Sequence, residues 1–198
     1  MIEQIVAYDV RYLISDWAFP YQPERRHLFF LRDDIQQPYS TDDMVWVSVL
    51  NRYDDLPAWR GTVQNLWQEL GEMDTFFAAH GGYPASTLRI VITIVLQDEQ
   101  EALHWEGYDF KPMTAAFGGQ LLGYDVSDRF LLSGLSNCAY DEDELVALKP
   151  VWSPHLNELH LFTDVDKAHE FKALTSDRVK GHAPFFVFGL YTLDSYAE

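Results

Sequence analysis

The pattern of apolar and polar positions predicts β-strands at both ends of the chain. Residues 2–14 are rich in Ile, Val and Tyr and alternate imperfectly, as a half-buried strand does. Residues 87–96, TLRIVITIVL, are apolar at nearly every position, which predicts a central strand covered on both faces. Residues 182–193 predict a final strand and 26–32 an early one, whereas 44–50 fits either a strand or a short helix.

Apolar residues spaced three and four apart predict a helix between the stretches DDLP and HGG. Pro57 suits the first helical turn, and Gly81 can adopt the left-handed conformation that ends a helix. Such a stripe faces a core, so we assign it no cofactor role. The residues of the stripe are Trp59, Val63, Leu66, Trp67, Leu70, Met73 and Phe77.

Two further helices are expected in the C-terminal third of the chain. Asp141 and Glu144 have the spacing of a capping box, which predicts a short helix that ends at Pro150. A third helix should run over about residues 163–175, with Asp164 in its first turn. Its inward residues would be Val165, Ala168, Phe171 and Leu174.

Strands at both termini with helices between them predict an α+β fold. We expect a single domain over residues 1–198, with a largely antiparallel sheet and helices packed on one face. The stretch 97–119 lacks a sustained period and is typical of a long connection, with a weak half-domain boundary near residues 100–118. Ser127 and Asp128 separate two apolar runs, which predicts a hairpin turn at that point.

One internal similarity links the first strand to the middle of the chain. AYDVRYLIS at 7–15 and GYDVSDRFLLS at 123–133 share Tyr-Asp-Val and then, after an insertion in the second copy, Arg-aromatic-Leu-aliphatic-Ser. A duplication of half-domains would produce this match, and so would the shared composition of strands. No second match extends the alignment, so the sequence favours coincidence.

Charge and cysteine content narrow the class of protein. The 198 residues include 31 acids and 14 Lys or Arg, for a formal net charge of −17. This charge argues against binding to nucleic acid or to anionic membranes, and it favours a basic protein partner. The single cysteine permits no intramolecular disulfide and no Cys-based zinc cluster. The N-terminus lacks a signal-peptide pattern, so we expect a cytoplasmic location.

Acidic residues are concentrated between residues 90 and 148, where eleven acids accompany two bases. Aromatic residues interleaved with carboxylates are typical of a partner-binding surface, in which rings anchor and charges steer. Alternation along strands would also send the aromatics to the core and the acids to water. The candidate partner-binding residues are Trp105, Tyr124, Asp125, Asp128, Tyr140, Asp141, Glu142, Asp143 and Glu144.

Two kinds of catalytic or metal site are weaker candidates. Gly134-Leu135-Ser136 begins like a nucleophile elbow, but Cys138 stands where the closing glycine belongs. Cys138 and His182 form an alternative catalytic pair, with Asp125 to orient the histidine. The alternative metal ligands, which lack the i, i+4 spacing of a helical pair, are His155, His160 and His169. We expect no cofactor.

The sequence therefore favours a non-enzymatic acidic protein that captures and neutralises a basic partner. Bacterial immunity proteins and antitoxins, which block toxins, are the functional class that shares this size and charge, although no motif supports the comparison. One alternative is a small hydrolase or transferase that uses Cys138 or a histidine. Another is a structural, self-assembling subunit.

Overall fold

The computed structural model describes residues 1–13, 35–36, 67–79, 81–83, 87–97, 110–113, 117–128, 133–135, 140–157, 159 and 161–194. The strand predicted at 26–32 and the ambiguous segment 44–50 lie outside this part of the chain.

An antiparallel sheet with strands of unequal length forms the centre of the described structure. Its principal strands follow the order β2-β1-β3-β6-β5, and β4 pairs separately with β1. The strand predicted from TLRIVITIVL is the middle strand of that order, as its apolar character on both faces requires. The strands are β1 (Ile2–Leu13), β2 (Ile35–Gln36), β3 (Thr87–Leu96), β4 (Lys111–Pro112), β5 (Gln120–Asp128) and β6 (Phe185–Thr192).

The first described helix, α1 (Leu70–Ala79), covers the last part of the predicted helix, whose residues before Trp67 lie outside the described part of the chain. Trp67 is extended, because its backbone exchanges two hydrogen bonds with Tyr8 of β1, at 2.7 and 3.0 Å. A long-range strand pairing therefore replaces helix at this position. The predicted end is confirmed, since the helix ends at Ala79 and Gly81, two residues later, has a positive φ of 99°.

The second helix, α2 (Glu142–Trp152), starts at the predicted capping box but does not end at Pro150. Asp141 is its N-cap, and the backbone N–H of Asp141 donates to Glu144 at 3.2 Å. Pro150 lies within the helix and is exposed. Proline has no N–H group, so one carbonyl of the preceding turn lacks its intrahelical donor, and water can bind that carbonyl.

The third helix, α3 (Val165–Arg178), matches its prediction. Asp164 caps it by accepting hydrogen bonds from the backbone N–H groups of Asp166 and Lys167. Ala168 and Phe171 are fully buried, and Val165 and Leu174 are partly buried, so the predicted inward face is confirmed.

All three described helices lie over the same face of the sheet. Val10 on this face packs with α1, and Val126 and Val187 pack with α3. Leu148 and Trp152 of α2 join the same cluster as α3. The predicted α+β class, with an antiparallel sheet and helices on one face, is therefore confirmed. The opposite face carries an apolar cluster that includes Ile90, Ile92, Ile94, Phe188, Leu190, Leu159 and Leu161.

The strand pairs β1–β3 and β5–β6 have the same register around the two Tyr-Asp-Val sequences. Tyr8 and Asp9 of β1 pair with Val91 and Ile90 of β3. In the same way, the second Tyr-Asp of the chain, on β5, pairs with consecutive residues of β6, Tyr124 with Gly189 and Asp125 with Phe188. Even the irregularity recurs at the equivalent place, between Ile5 and Ala7 in β1 and between Leu121 and Gly123 in β5.

The helices that follow these strands repeat the arrangement. Tyr8 pairs with Trp67, which precedes the start of α1, and Tyr124 pairs with Phe162, which precedes the start of α3 by the same number of residues. The Trp67 ring lies 5.6 Å from that of Phe76 in α1, between centroids. The Phe162 ring lies 5.4 Å from that of Phe171 in α3. We call β1-α1-β3 and β5-α3-β6 the two repeats. The sequence favours coincidence for the Tyr-Asp-Val match, whereas the structure shows this match at equivalent positions of the two repeats.

The residues predicted to form a hairpin turn lie in a strand instead. Ser127 and Asp128 are the last residues of β5 and pair with Phe186 and Phe185 of β6. Ser127 also pairs with Ser133 in an antiparallel bridge, and residues 129–132 lie outside the described part of the chain. Both side chains are hydrogen-bonded within the fold, since Ser127 donates to Asp125 and Asp128 contacts His182. None of the described helices is long and apolar enough to cross a membrane.

Candidate functional site: the end of strand β5 and helix α2

The acidic stretch predicted as a contact surface runs from β5 to α2, and its first carboxylate is buried. Asp125 is 1% exposed. It accepts hydrogen bonds from the hydroxyl groups of Ser127 and, at 2.8 Å, of Ser133. Ser133 Oγ in turn accepts from the backbone N–H of Leu135 at 3.1 Å. Asp125 therefore holds the returning chain against β5, which is a structural task.

Asp128 lies on the opposite face of β5 and contacts a histidine. Its carboxylate, 1% exposed, lies 3.0 Å from Nδ1 of His182, whose side chain is 42% exposed. The sequence suggested Asp125 as the group that orients His182; the structure corrects this to Asp128, because successive strand residues point to opposite faces. A carboxylate that contacts Nδ1 orients the imidazole ring, and the partly exposed His182 side chain keeps contact with solvent. Cys138, the proposed nucleophile, lies outside the described residues.

The acids at the start of α2 are the ones that reach solvent. Asp141 and Asp143 are exposed, whereas Glu144 is half-buried and forms an ion pair with Arg178 of α3. Glu144 also accepts from the backbone of Asp141. The charge of Glu144 is therefore paired with Arg178, whereas Asp141 and Asp143 have exposed carboxylates among the described residues at the start of α2.

One side of α2 is both apolar and exposed. Val146 and Val151 are 57% and 56% exposed, and both belong to the few large hydrophobic side chains exposed in the described part of the chain. The inward side of the helix is different, since Trp152 lies 5.1 Å from Phe171 between ring centroids. The exposed residues recur at the helical spacing and form what we call the α2 stripe: Asp143, Val146, Ala147, Pro150 and Val151.

The predicted aromatic anchors differ in accessibility. Tyr140 is 9% exposed, and its hydroxyl lies 3.1 Å from that of Thr175, so it supports the packing of α3. Burial raises the pKa of Tyr140. Tyr124 is half-buried, and its pKa is raised by burial and then by the charge of Glu3. Trp105 lies outside the described residues.

The predicted partner-binding residues are therefore only partly brought together. Asp125, Asp128 and Tyr140 are buried, whereas Asp141, Asp143 and the half-buried Glu144 lie together at the start of α2. The side chain of Glu142 lies outside what the structure describes. Sequence reasoning missed Val146 and Val151, although their spacing from Asp143 along a helix is a signal that could have found them.

The histidines considered as metal ligands occupy separate environments. His155 lies in a short 3₁₀ helix (Ser153–His155) with its ring 6.2 Å from that of Trp152, and its carbonyl accepts from Thr163. His169 is 8% exposed on the buried side of α3. His160 is outside the described residues, and within those residues no group of three potential ligands comes together.

Comparison with known proteins gives no independent indication of function. No family model matches the chain, and neither curated proteins nor solved structures gave a match.

Proposed function

We propose that the chain is a non-enzymatic binding protein that captures a basic partner protein through the N-terminal end and exposed stripe of α2. The observation that carries this proposal is the combination of two exposed carboxylates, Asp141 and Asp143, with the exposed apolar side chains of Val146 and Val151 on one helix. Apolar side chains supply buried area in an interface, and charges beside them set its orientation and specificity.

The net charge of −17 supports a basic partner in particular. The field of such a protein attracts cationic surfaces and raises their rate of encounter, whereas it repels anionic ones. Asp141 and Asp143 are exposed at the start of α2, so the proposed contact carries charge of the same sign as the whole protein. Charge and apolar surface thus favour the same occupant.

Within this class, we propose neutralisation of a bacterial toxin in the cytoplasm, as by an immunity protein or antitoxin. A nuclease toxin has a basic groove that binds phosphates, and an acidic protein can occupy that groove. Asp141 and Asp143 would contact its Lys and Arg residues, and the α2 stripe would cover apolar surface beside them. Charge and the α2 stripe support this form of the proposal, and no motif does.

The test begins with basic proteins retained by the tagged chain from its source cell. The association rate of the purified partner is measured at low and high salt, with the native chain and with a variant carrying Asp141→Lys and Asp143→Lys. We expect the rate to fall steeply with salt and about tenfold in the variant. A toxin would also be inhibited at equimolar amounts of the chain.

The matched control carries Glu170→Lys and Asp177→Lys, which change the net charge equally on the exposed side of α3. If the field alone matters, both variants slow association equally; if α2 is the contact, the α2 variant is the slower. Val146→Asp should raise the dissociation rate without disturbing the fold, because Val146 is exposed. The proposal would be refuted if the affinity for the partner changed neither with salt nor in the α2 charge variant nor in Val146→Asp.

The Asp128–His182 contact favours a second candidate, a small hydrolase or transferase. An oriented histidine could activate the thiol of Cys138. This candidate predicts rapid alkylation of Cys138 near neutral pH and slower alkylation in His182→Ala. If Cys138 is not alkylated, or is alkylated at the same rate in His182→Ala, catalysis by Cys138 and His182 is excluded.

A further inference from the structure

We propose that the helix-bearing face of the sheet carries a binding site for a small organic cation, such as an alkylammonium or guanidinium ion, at the junction of the two repeats. The site is separate from α2 and does not depend on the function proposed above. We call it the axial site, and it consists of Glu3, Thr93, Phe117, Tyr124, Gly189 and Tyr191.

The central strands form the floor of the axial site. Thr93 of β3 pairs with Gly189 of β6, and the neighbouring pair on the same face is Val91 with Tyr191. Thr93 is fully buried and Tyr191 is 8% exposed. Because side chains of a strand alternate, these residues share the face that bears the helices. The floor thus lies beside the pair Ile92 and Leu190, where one repeat meets the other.

A single carboxylate is held above this floor. Oε1 of Glu3 accepts a hydrogen bond from Thr93 Oγ1 at 2.6 Å and another from the Tyr191 hydroxyl at 2.8 Å. No described residue donates to Oε2 of Glu3. Two hydrogen bonds to one oxygen fix the position of the carboxylate, so a ligand that binds Oε2 meets a group that is already oriented.

Gly189 makes room for that carboxylate. A Cβ added to Gly189 would lie 2.5 Å from Thr93 Oγ1 and 2.8 Å from Glu3 Oε1. The equivalent residue of the first repeat is Val91, since Tyr8 pairs with Val91 as Tyr124 pairs with Gly189. The first repeat therefore has the β-branched side chain of Val91 at this position. The second repeat has Gly189 there, and the Glu3 carboxylate lies where a side chain would otherwise be.

Aromatic residues lie on the same face as this carboxylate: Tyr191, which donates to it, and Tyr124, which pairs with Gly189. The Tyr191 ring meets Phe117 edge to face, with centroids 5.4 Å apart. Tyr124 lies close enough to Glu3 for the carboxylate charge to raise the pKa of its hydroxyl, after the larger effect of burial. Glu3, Phe117 and Tyr124 are only half-buried, so each keeps part of its surface in contact with solvent.

This chemistry selects a cation. A half-buried carboxylate repels anions, and a neutral apolar ligand would take water from it without compensation. A positive nitrogen can both bind Glu3 Oε2 and lie against aromatic rings, which attract cations. Lys111, which pairs with β1 nearby, donates instead to Glu69 and the Gln68 carbonyl, and so its ammonium is directed toward the start of α1.

The test uses butylammonium, tetramethylammonium and methylguanidinium as probes of the full chain, with butyrate as the anionic counterpart. Binding is followed through the backbone amide NMR signals. We expect saturable shifts for at least one cation, centred on Thr93, Gly189 and Tyr191, and none for butyrate. Absence of saturable binding by all three cations at millimolar concentration would overturn the proposal.

Two variants separate the site from general attraction to an acidic protein. Glu3→Gln keeps a hydrogen-bond acceptor but removes the charge, and it should weaken cation binding about tenfold. Glu170→Gln removes one exposed charge elsewhere and should change the affinity less than about twofold. Equal losses in both variants would show only general electrostatic attraction. Tyr124→Leu should weaken binding without altering the Glu3 contacts, and the α2 variants should have no effect.

Discussion

Ile92 and Leu190 pair directly across the two central strands, and each occupies the same position in its own repeat. Because β3 and β6 are antiparallel, exchanging the repeats maps this pair onto itself, so a pseudo-two-fold axis passes between the two residues. Both are almost completely buried. Each repeat contributes only part of the sheet, so the described core is formed by residues of both repeats.

The repeat predicts similar energetic roles for Trp67 and Phe162. Each is fully buried or nearly so, and each anchors the helix that follows it by ring packing. Replacement of either by Ala should lower the free energy of unfolding by about 3–5 kcal/mol, measured by chemical denaturation. The exposed Val146→Ala should change it by less than about 0.5 kcal/mol. A loss below 1 kcal/mol at only one of the two anchors would contradict the equivalence.

Gly189→Ala should destabilise the protein because a methyl group would collide with Thr93 and Glu3. We expect a loss of about 1–3 kcal/mol in the free energy of unfolding. Gly71→Ala is the matched control, since Gly71 lies in α1 with nothing within 4 Å of an added Cβ. That change should stabilise the protein by about 0.5–1 kcal/mol through helix propensity. Equal effects at the two glycines would argue against close packing at Gly189.

Asp125→Ala should cost about 2–4 kcal/mol, because the hydroxyl groups of Ser127 and Ser133 would lose their acceptor in a buried place. Asp143→Ala removes an exposed carboxylate on α2 and should cost less than about 0.5 kcal/mol. Thermal or chemical unfolding measures both changes. If Asp125 were instead a surface contact, the two variants would have similar stability and differ only in partner binding.

Alkaline pH should destabilise the fold through its buried tyrosines. The pKa of Tyr191 is raised, first by burial and then by its hydrogen bond to Glu3, and burial with a hydrogen bond to Asp74 raises that of Tyr83. Raised folded-state pKa values mean that the stabilisation is complete below the unfolded value of about 10 and is lost as pH rises above it. Denaturation measured across that range should show the loss.

Tyr191→Phe is the variant that tests this pH dependence. Phenylalanine does not ionise, so the decline in stability above pH of about 10 should be shallower than in the native chain. Tyrosinate absorbance of the native protein should also rise at higher pH than in the denatured chain. An identical alkaline decline in the variant would show that Tyr191 does not contribute.

Several elements could be predicted because their signals are local. The apolar run within TLRIVITIVL indicates a central strand, and Asp164 before an amphipathic segment indicates the start of α3. The extended conformation of Trp67 could not be predicted. Its spacing favours a helix, but its backbone pairs with Tyr8, a residue far away in the sequence. The same limit applies to Asp128, whose contact with His182 joins two distant segments.

By itself, the sequence determined the α+β class, the central strand, the caps of α2 and α3, and the strongly acidic composition. Those properties depend on composition and on neighbours within a few residues. Only the tertiary structure decided which acids are buried, which histidine contact exists and that Tyr-Asp-Val marks a repeat. Burial and strand register depend on contacts between distant segments, and identical residue types therefore take different roles: Asp125 lies in the interior and Asp143 in water.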